Sequence, residues 1–274
     1  MARIIQISDT HLSRSKPQFA LNWPPLRDWV RQQQPDLVIH TGDLTVDGAD
    51  RDDDMRDGAQ LMGELGLPFL AVPGNHDIGE ADNIDQPVNE TRLARWRRHF
   101  GPDWWSRDIE AWRLVGLDSM LFGSGCAEEA HQMEWLHETL ANAGARRIAL
   151  FTHRPLFIED PQEGDRGYWS LKPEQRAPML DLIRHYGVAL VATGHLHKWH
   201  DTMCDGCRYV WCPSSGFLVG PQNQPELPGS KSMGAIMYEL DGARLVVRHA
   251  DVPGLTTLWI DDVLHEVYPP RRAA

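Results

Sequence analysis

Five short apolar segments of this chain each end in Asp, Asn or His, and this repeated pattern constrains the fold most strongly. The segments are 4–7, 36–40, 68–72, 148–151 and 188–192, and their Ile, Val and Leu content is typical of buried strands. The polar residues that follow them are Asp9, His11, Asp43, Asn75, His76, His153, His195 and His197. Because sites in open α/β sheets gather at the carboxyl ends of strands, the pattern predicts one shared site.

Helical patterns separate the early strands, whereas the last part of the chain is mostly β. Helices are predicted over 24–34, 52–65, 91–100, 128–143 and 173–186, and further strands over 112–117, 208–211, 235–240 and 244–248. This order favours an α/β fold in which two sheets pack face to face, with helices outside them. The 274 residues show no internal repeat or low-complexity linker, so we expect a single domain over 1–274.

The sequence is compatible with alternative roles for three segments. The long loops 77–110, with Trp104 and Trp105, and 154–173, with Tyr168 and Trp169, are candidate active-site loops whose aromatic rings could stack on a substrate. Packing against the rest of the fold is the more common role for such rings. Segment 255–274 is a C-terminal tail, in which 255–267 is either an oligomer contact or a last core element and 269–274 is expected to fray.

Charge and composition exclude several classes of protein. The formal charge of −12 repels a polyanion and argues against general nucleic-acid binding. No apolar run reaches the length of a membrane span, and a strand pattern begins at once, so we expect a cytoplasmic protein without a membrane anchor. The Asp-Gly pair between Cys204 and Cys207 predicts a type I′ hairpin rather than a zinc or redox motif.

The residue types at the strand ends suit a divalent metal. Asp9 and His11 are two residues apart, as are His195 and His197, so each pair points to one side of an extended chain. Carboxylate oxygen and imidazole nitrogen favour Mn, Fe, Co, Ni or Zn. Seven candidate ligands are present, namely Asp9, His11, Asp43, Asn75, His153, His195 and His197. With one shared carboxylate they would form two sites about 3.5–4 Å apart, the arrangement used in phosphoryl hydrolysis.

Taken singly, each motif has an ordinary structural explanation, since Asp-x-His or Gly-Asp commonly caps a turn. All five in order, each after a strand, are hard to obtain by coincidence. The set resembles the five motifs of the calcineurin-like metallophosphoesterases over residues 9–197, and within them the bacterial class III cyclic-nucleotide and glycerophosphodiester phosphodiesterases. The resemblance implies a four-layer α/β/β/α sandwich of two mixed β-sheets flanked by helices.

The resemblance also implies a role for each residue. Asp9, His11 and His197 would hold one metal, Asn75, His153 and His195 the other, and Asp43 would bridge the two. His76 and Asn75 would contact the phosphoryl group, with His76 also able to protonate the leaving group. Asp77 would orient that imidazole or cap the next turn. Arg154 departs from the His-His-Pro often found in these enzymes and would bind a substrate phosphate, or lie on the surface.

These observations predict a phosphodiesterase that cleaves a small diester with hydroxide generated by two divalent ions (Fe, Mn, Zn or Co). Three alternatives use the same fold: a phosphomonoesterase, a nuclease, and a non-catalytic interaction module. The acidic charge argues against the nuclease. An interaction module would be expected to have lost ligands, and none is missing. A homo-oligomer is also compatible with the sequence.

Overall fold

The computed structural model describes residues 1–268, within which eleven strands form two mixed sheets. The strands are β1 (Ala2–Ile7), β2 (Leu37–Thr41), β3 (Phe69–Val72), β4 (Trp105–Ile109), β5 (Trp112–Leu117), β6 (Arg147–Thr152), β7 (Leu190–Thr193), β8 (His200–Cys204), β9 (Cys207–Trp211), β10 (Ala235–Asp241) and β11 (Arg244–Ala250). The α-helices are α1 (Trp23–Gln33), α2 (Asp52–Gly63), α3 (Asn75–Ile78), α4 (Glu90–Phe100), α5 (Ala127–Ala141), α6 (Pro173–Tyr186) and α7 (Ile260–Val267).

The first sheet has the strand order β11-β10-β1-β2-β3, and the second has the order β4-β5-β6-β7-β9-β8. In the first, β1, β2 and β3 are parallel to one another, β10 pairs with β1 in the antiparallel direction, and β11 pairs with β10 in the antiparallel direction. In the second, β5, β6, β7 and β9 are parallel between two antiparallel edge strands. The five strands followed by candidate site residues therefore end at one edge of each sheet, which brings their motifs together.

Three apolar clusters produce the layers. Side chains from both sheets, among them Ile39, Leu114 and Tyr238, form one buried cluster between the sheets. The outer face of the first sheet packs against α1 and α2, and that of the second packs against α5 and α6. Burial of these apolar faces accounts for the α/β/β/α arrangement and confirms the expected fold class.

The helices begin and end where local chemistry favours it. Pro24 and Pro25 lie in the first turn of α1, where their missing N–H groups cost nothing. Three aspartates open α2, where their charge interacts favourably with the helix dipole. Gly187 ends α6 in a left-handed conformation.

The predicted loop 77–110 contains α4, as expected over 91–100, and the strand β4, which the sequence analysis missed. Strand β4 lies at the edge of its sheet and exposes its central residues, so its apolar signal is weak. Trp105 does not approach the candidate site: it is buried between the sheets and donates from Nε1 to the carbonyl of Ala71 at 2.8 Å. Trp104 packs beneath the guanidinium of Arg97. Both rings have the packing role.

The structure shows a hairpin and a core element in two smaller segments, the first as predicted and the second as one of the two alternatives. Cys204 pairs with Cys207 across a hairpin whose turn residues Asp205 and Gly206 both have positive φ, 49° and 79°. Segment 255–267 supplies a core element, because Ile260 and Val267 of α7 are buried in one apolar cluster with Phe19 and Phe217. The frayed end expected at 269–274 lies outside the described residues. Within residues 1–268, no helix is both long enough and apolar enough to cross a bilayer.

Candidate metal centre and its family

Backbone hydrogen bonds hold the strand-end segments side by side. Beyond β1 and β2, the N–H of His11 donates to the carbonyl of Asp43 at 3.1 Å. Across the two sheets, the N–H of His195 donates to the Asp9 carboxylate at 3.1 Å from Oδ2. The segments from both sheets are thereby joined at a single point.

Five of the seven candidate ligands have left-handed backbone conformations. Their φ values are 51° for Asp9, 45° for His11, 51° for Asp43, 70° for His195 and 51° for His197. Such conformations cost of order 1–3 kcal/mol each outside glycine, and they tend to cluster at functional sites. The backbone here is bent sharply to aim the side chains inward.

Gly74 allows its loop to lie directly against Asp43. A Cβ on Gly74 would lie 2.2 Å from Oδ1 of Asp43, so any larger residue would push that carboxylate away.

The first donor group consists of Asp9, His11 and His197, whose ligand atoms lie within 4.8 Å of one another and are buried. Nε2 of His197 is 3.3 Å from Oδ1 of Asp9. Its Nδ1 is 2.7 Å from the carbonyl of Phe217, which can only accept, so the proton sits on Nδ1 and Nε2 faces the group. Nε2 of His11 is buried and finds no hydrogen-bond partner among residues 1–268.

The second donor group consists of Asp43, His153 and His195, again within 4.8 Å and buried. Nε2 of His153 is 3.3 Å from Oδ2 of Asp43. It is also 3.2 Å from the amide oxygen of Asn75, which adds a fourth donor to this group. All seven predicted ligands therefore lie in two adjoining groups.

Two imidazoles of the second group face each other in a way that requires a cation. Nδ1 of His153 donates to the carbonyl of Thr41 at 2.8 Å, and Nε2 of His195 donates to the carbonyl of Tyr168 at 2.8 Å. The remaining nitrogens, both carrying lone pairs in the neutral rings, are 3.1 Å apart. Lone pairs at this distance repel unless a proton or metal ion lies between them, so the donor set fits a divalent metal.

Protonation of the metal-free site follows the same logic. Burial opposes charge on His153, but the carboxylates of Asp43 and Asp9 outweigh it and raise the pKa to about 9. Burial would likewise raise the pKa of Asp43, yet the imidazoles of His153 and His76 hold it well below 3.8. Burial lowers the pKa of His11 and of His195 well below 6.5, so these two rings are neutral. A divalent ion that binds the second donor group would therefore have to displace a proton from His153.

His76 and Asp77 have different roles. The half-buried His76 ring belongs to neither donor group; its backbone N–H donates to Oδ1 of Asp43 at 2.9 Å. The Asp77 carboxylate accepts from the backbone of Leu44, Thr45 and Gly74 at 2.9–3.1 Å. Asp77 thus caps and ties two loops, which agrees with the capping interpretation.

Arg154 is buried beside the second donor group. Its guanidinium forms an ion pair with Glu80 and lies 5.8 Å from the centre of the Tyr168 ring. A surface position is therefore excluded. Because Glu80 balances its charge, Arg154 presents N–H donors rather than a free positive charge.

The loop 154–173 reaches the site through Tyr168. Its ring lies 4.5 Å from that of His195, and its hydroxyl is 3.3 Å from Nδ2 of Asn75. Phe157, in contrast, packs against Tyr209 in the core. The Trp169 ring lies 6.5 Å from that of His195, so both aromatic residues predicted for this loop border the donor groups.

The sequence analysis missed Tyr268, whose hydroxyl is 2.9 Å from Nδ1 of His11. It also missed the carbonyls that orient the histidines. These contacts join residues far apart in sequence, and no local motif signals them.

Comparison with known proteins places this geometry in a family. Residues 2–199 match the model of the calcineurin-like phosphoesterases. The chain belongs to that family. It is therefore a metal-dependent phosphoester hydrolase, as the motifs indicated.

Two curated bacterial proteins and one solved structure are similar. The probable glycerophosphodiester phosphodiesterase GpdQ of Arcobacter nitrofigilis is 28% identical over 214 residues, 73% of each chain. The 3′,5′-cyclic adenosine monophosphate phosphodiesterase CpdA of Escherichia coli K12 is 27% identical over 224 residues, 78% of this chain and 76% of that one. A dimetal phosphatase from Danio rerio has the same fold, with a TM-score of 0.59 at 16% identity, covering 90% and 95% of the chains.

Metal binding should release protons. Because the pKa of His153 is about 9 in the metal-free site, a divalent ion must displace roughly one proton per chain at pH 7–8, and metal affinity should fall as pH drops below 9. Calorimetric titration with Mn²⁺ in buffers of different ionisation enthalpy measures this release. Heats that are independent of the buffer would contradict the assignment.

Proposed function

We propose that this protein is a two-metal phosphodiesterase acting on a small diester, of the cyclic-nucleotide or glycerophosphodiester type. Asp9, His11 and His197 would hold one ion, Asn75, His153 and His195 would hold the other, and both would share the Asp43 carboxylate. The observation that supports this most strongly is the convergence of seven buried donors in two adjoining groups. The names of the bacterial relatives agree with diester hydrolysis.

Two divalent ions, when bound, supply Lewis-acid stabilisation of phosphoryl charge and lower the pKa of water enough to provide hydroxide near neutral pH. The chain itself positions the substrate. The Asn75 amide donates a hydrogen bond to a phosphoryl oxygen, and His76 holds a proton close to the leaving oxygen and delivers it as the ester bond breaks. Because Asp43 fixes the backbone N–H of His76, the same carboxylate sets the position of this acid.

Two cavities beside the Asn75–His76 turn favour a diester over a monoester. One, of about 360 Å³, is lined by His76 and Tyr268. The other, of about 600 Å³, is lined by Arg154 and Tyr168, and the Tyr168 hydroxyl contacts Asn75. A phosphodiester carries two organic arms, and a cavity on each side can take one of them.

The charges around the cavities favour a substrate whose only phosphate is the reacting one. Asp47 balances Lys16 beside the smaller cavity, at 2.6 Å, and Asp82 balances Lys172 beside the larger one, at 2.8 Å. Arg154 is balanced by Glu80. With no free cationic cluster among these lining residues, a further phosphate would be poorly neutralised. Arg154 is then suited to donate hydrogen bonds to hydroxyl oxygens of one arm or to an oxygen of the reacting phosphate.

A substrate panel tests the proposal. Protein loaded with Mn²⁺ should hydrolyse 3′,5′-cyclic nucleotides, glycerophosphodiesters or bis-aryl diesters with higher kcat/KM than aryl monoesters. Asp43→Asn keeps an acceptor for the N–H of His76 but loses the shared charge, so we expect diesterase activity to fall about 100-fold or more. Asp251→Asn, at an exposed position, is the matched control. Preference for monoesters would favour the phosphomonoesterase, and an active Asp43→Asn would contradict the two-metal scheme.

Replacement of His76 separates proton transfer from metal binding. Because His76 is in neither donor group, His76→Asn should retain the metal content while kcat for a diester falls by about 10²–10⁴-fold. The surface variant His131→Asn should leave kcat unchanged. Rates measured with a poor and a good leaving group distinguish the acid from a binding residue: the loss should be larger for the poor one. Equal losses for both leaving groups would contradict the role of His76 as acid.

A further inference from the structure

The ligand histidine His11 differs from two of its companions in the partner of its outer nitrogen. His153 and His197 each place Nδ1 against a backbone carbonyl, which can only accept a hydrogen bond. Nδ1 of His11 instead lies 2.9 Å from the hydroxyl of Tyr268. Its other nitrogen, Nε2, is the buried atom without a partner in residues 1–268.

The C-terminal helix holds Tyr268 at this point. Two buried side chains of α7, Ile260 and Val267, pack in one apolar cluster with Phe19 and Phe217. Nζ of Lys16 donates to the carbonyl of Val267 at 2.5 Å and pairs with Asp47 at 2.6 Å, which fixes the end of the helix. The Tyr268 ring also lies 4.6 Å from the His76 ring, so it borders the smaller cavity.

We propose that Tyr268 is a positioning residue for the first metal: its hydroxyl oxygen accepts the Nδ1 proton of His11, so that the Nε2 lone pair faces Asp9 and His197. This inference rests on the two-metal centre proposed above. It assigns the α7 segment a function that the motifs of residues 9–197 do not include. Docking of the C-terminal helix thereby supports the first metal site and not the second.

The physical reason lies in the cost of a buried unpaired donor. Without the Tyr268 hydroxyl, an Nδ1 proton on His11 would have no acceptor in a fully buried position, and the ring would be free to change tautomer or turn. Loss of such an outer partner typically weakens metal affinity by about 10–100-fold. The second group keeps its own carbonyl partners, so its affinity should not change.

The matched pair of variants Tyr268→Phe and Tyr168→Phe tests this. Each removes one hydroxyl and keeps the ring, and Tyr168 contacts Asn75 of the second group. The metal-free variants are titrated with Mn²⁺. Calorimetry measures the affinity for each ion, and electron paramagnetic resonance measures the spin coupling between the two ions. Thermal unfolding of the metal-free proteins checks the fold.

We expect Tyr268→Phe to lower the affinity for one of the two ions by about 10–100-fold. At intermediate Mn²⁺ concentration this variant should therefore give the uncoupled signal of a single Mn²⁺. Tyr168→Phe should leave the affinity of the first site unchanged. Wild-type affinity for both ions in Tyr268→Phe, or equal weakening of both, would overturn the inference. A wild-type protein that binds a single ion would contradict the two-metal proposal itself. In that case, the inference about Tyr268 would stand if Tyr268→Phe lowered the affinity for that single ion, and would fail if the affinity were unchanged.

Discussion

The rest of the site depends on two buried carboxylate–imidazole pairs, in each of which a carboxylate oxygen lies 3.3 Å from an imidazole nitrogen. Asp9 faces His197 in the first donor group, and Asp43 faces His153 in the second. Burying carboxylates costs several kcal/mol each unless a cation or hydrogen bonds compensate. The carboxylates of Asp43 and Asp9 raise the pKa of His153, whereas burial lowers the pKa of His11 and of His195.

The fold meets this requirement by placing most of the donors directly after strand ends. Parallel strands of two different sheets end at a common edge, and the bends that follow them adopt left-handed conformations at five of the candidate ligands. The strain is sustained by the sandwich behind it, where the sheets bury apolar faces against each other and against helices. The stable core thus keeps these side chains in positions that a flexible loop could not maintain.

The sequence predicts the parts of this arrangement that are local. Strand-forming runs and the polar residues after them appear within a few positions, so the candidate ligands, most of the strands and the hairpin at Cys204 and Cys207 could be predicted. Strand β4 was not predicted because its central residues are exposed. The outer partners of the histidines were not predicted for another reason. Tyr268 and His11, which are in contact, are 257 residues apart in sequence, and backbone carbonyls carry no sequence signature. Trp105 could have stacked over the site or packed in the core, and only tertiary structure distinguishes these roles.

The central claim is that the two donor groups bind two neighbouring divalent ions. Anomalous X-ray diffraction from crystals grown with Mn²⁺ tests this most directly, with data collected above and below the manganese absorption edge. The account predicts two anomalous peaks, one among Asp9, His11 and His197 and one among Asn75, His153 and His195, with the Asp43 carboxylate touching both. A single peak, or a second peak away from Asp43, would contradict it.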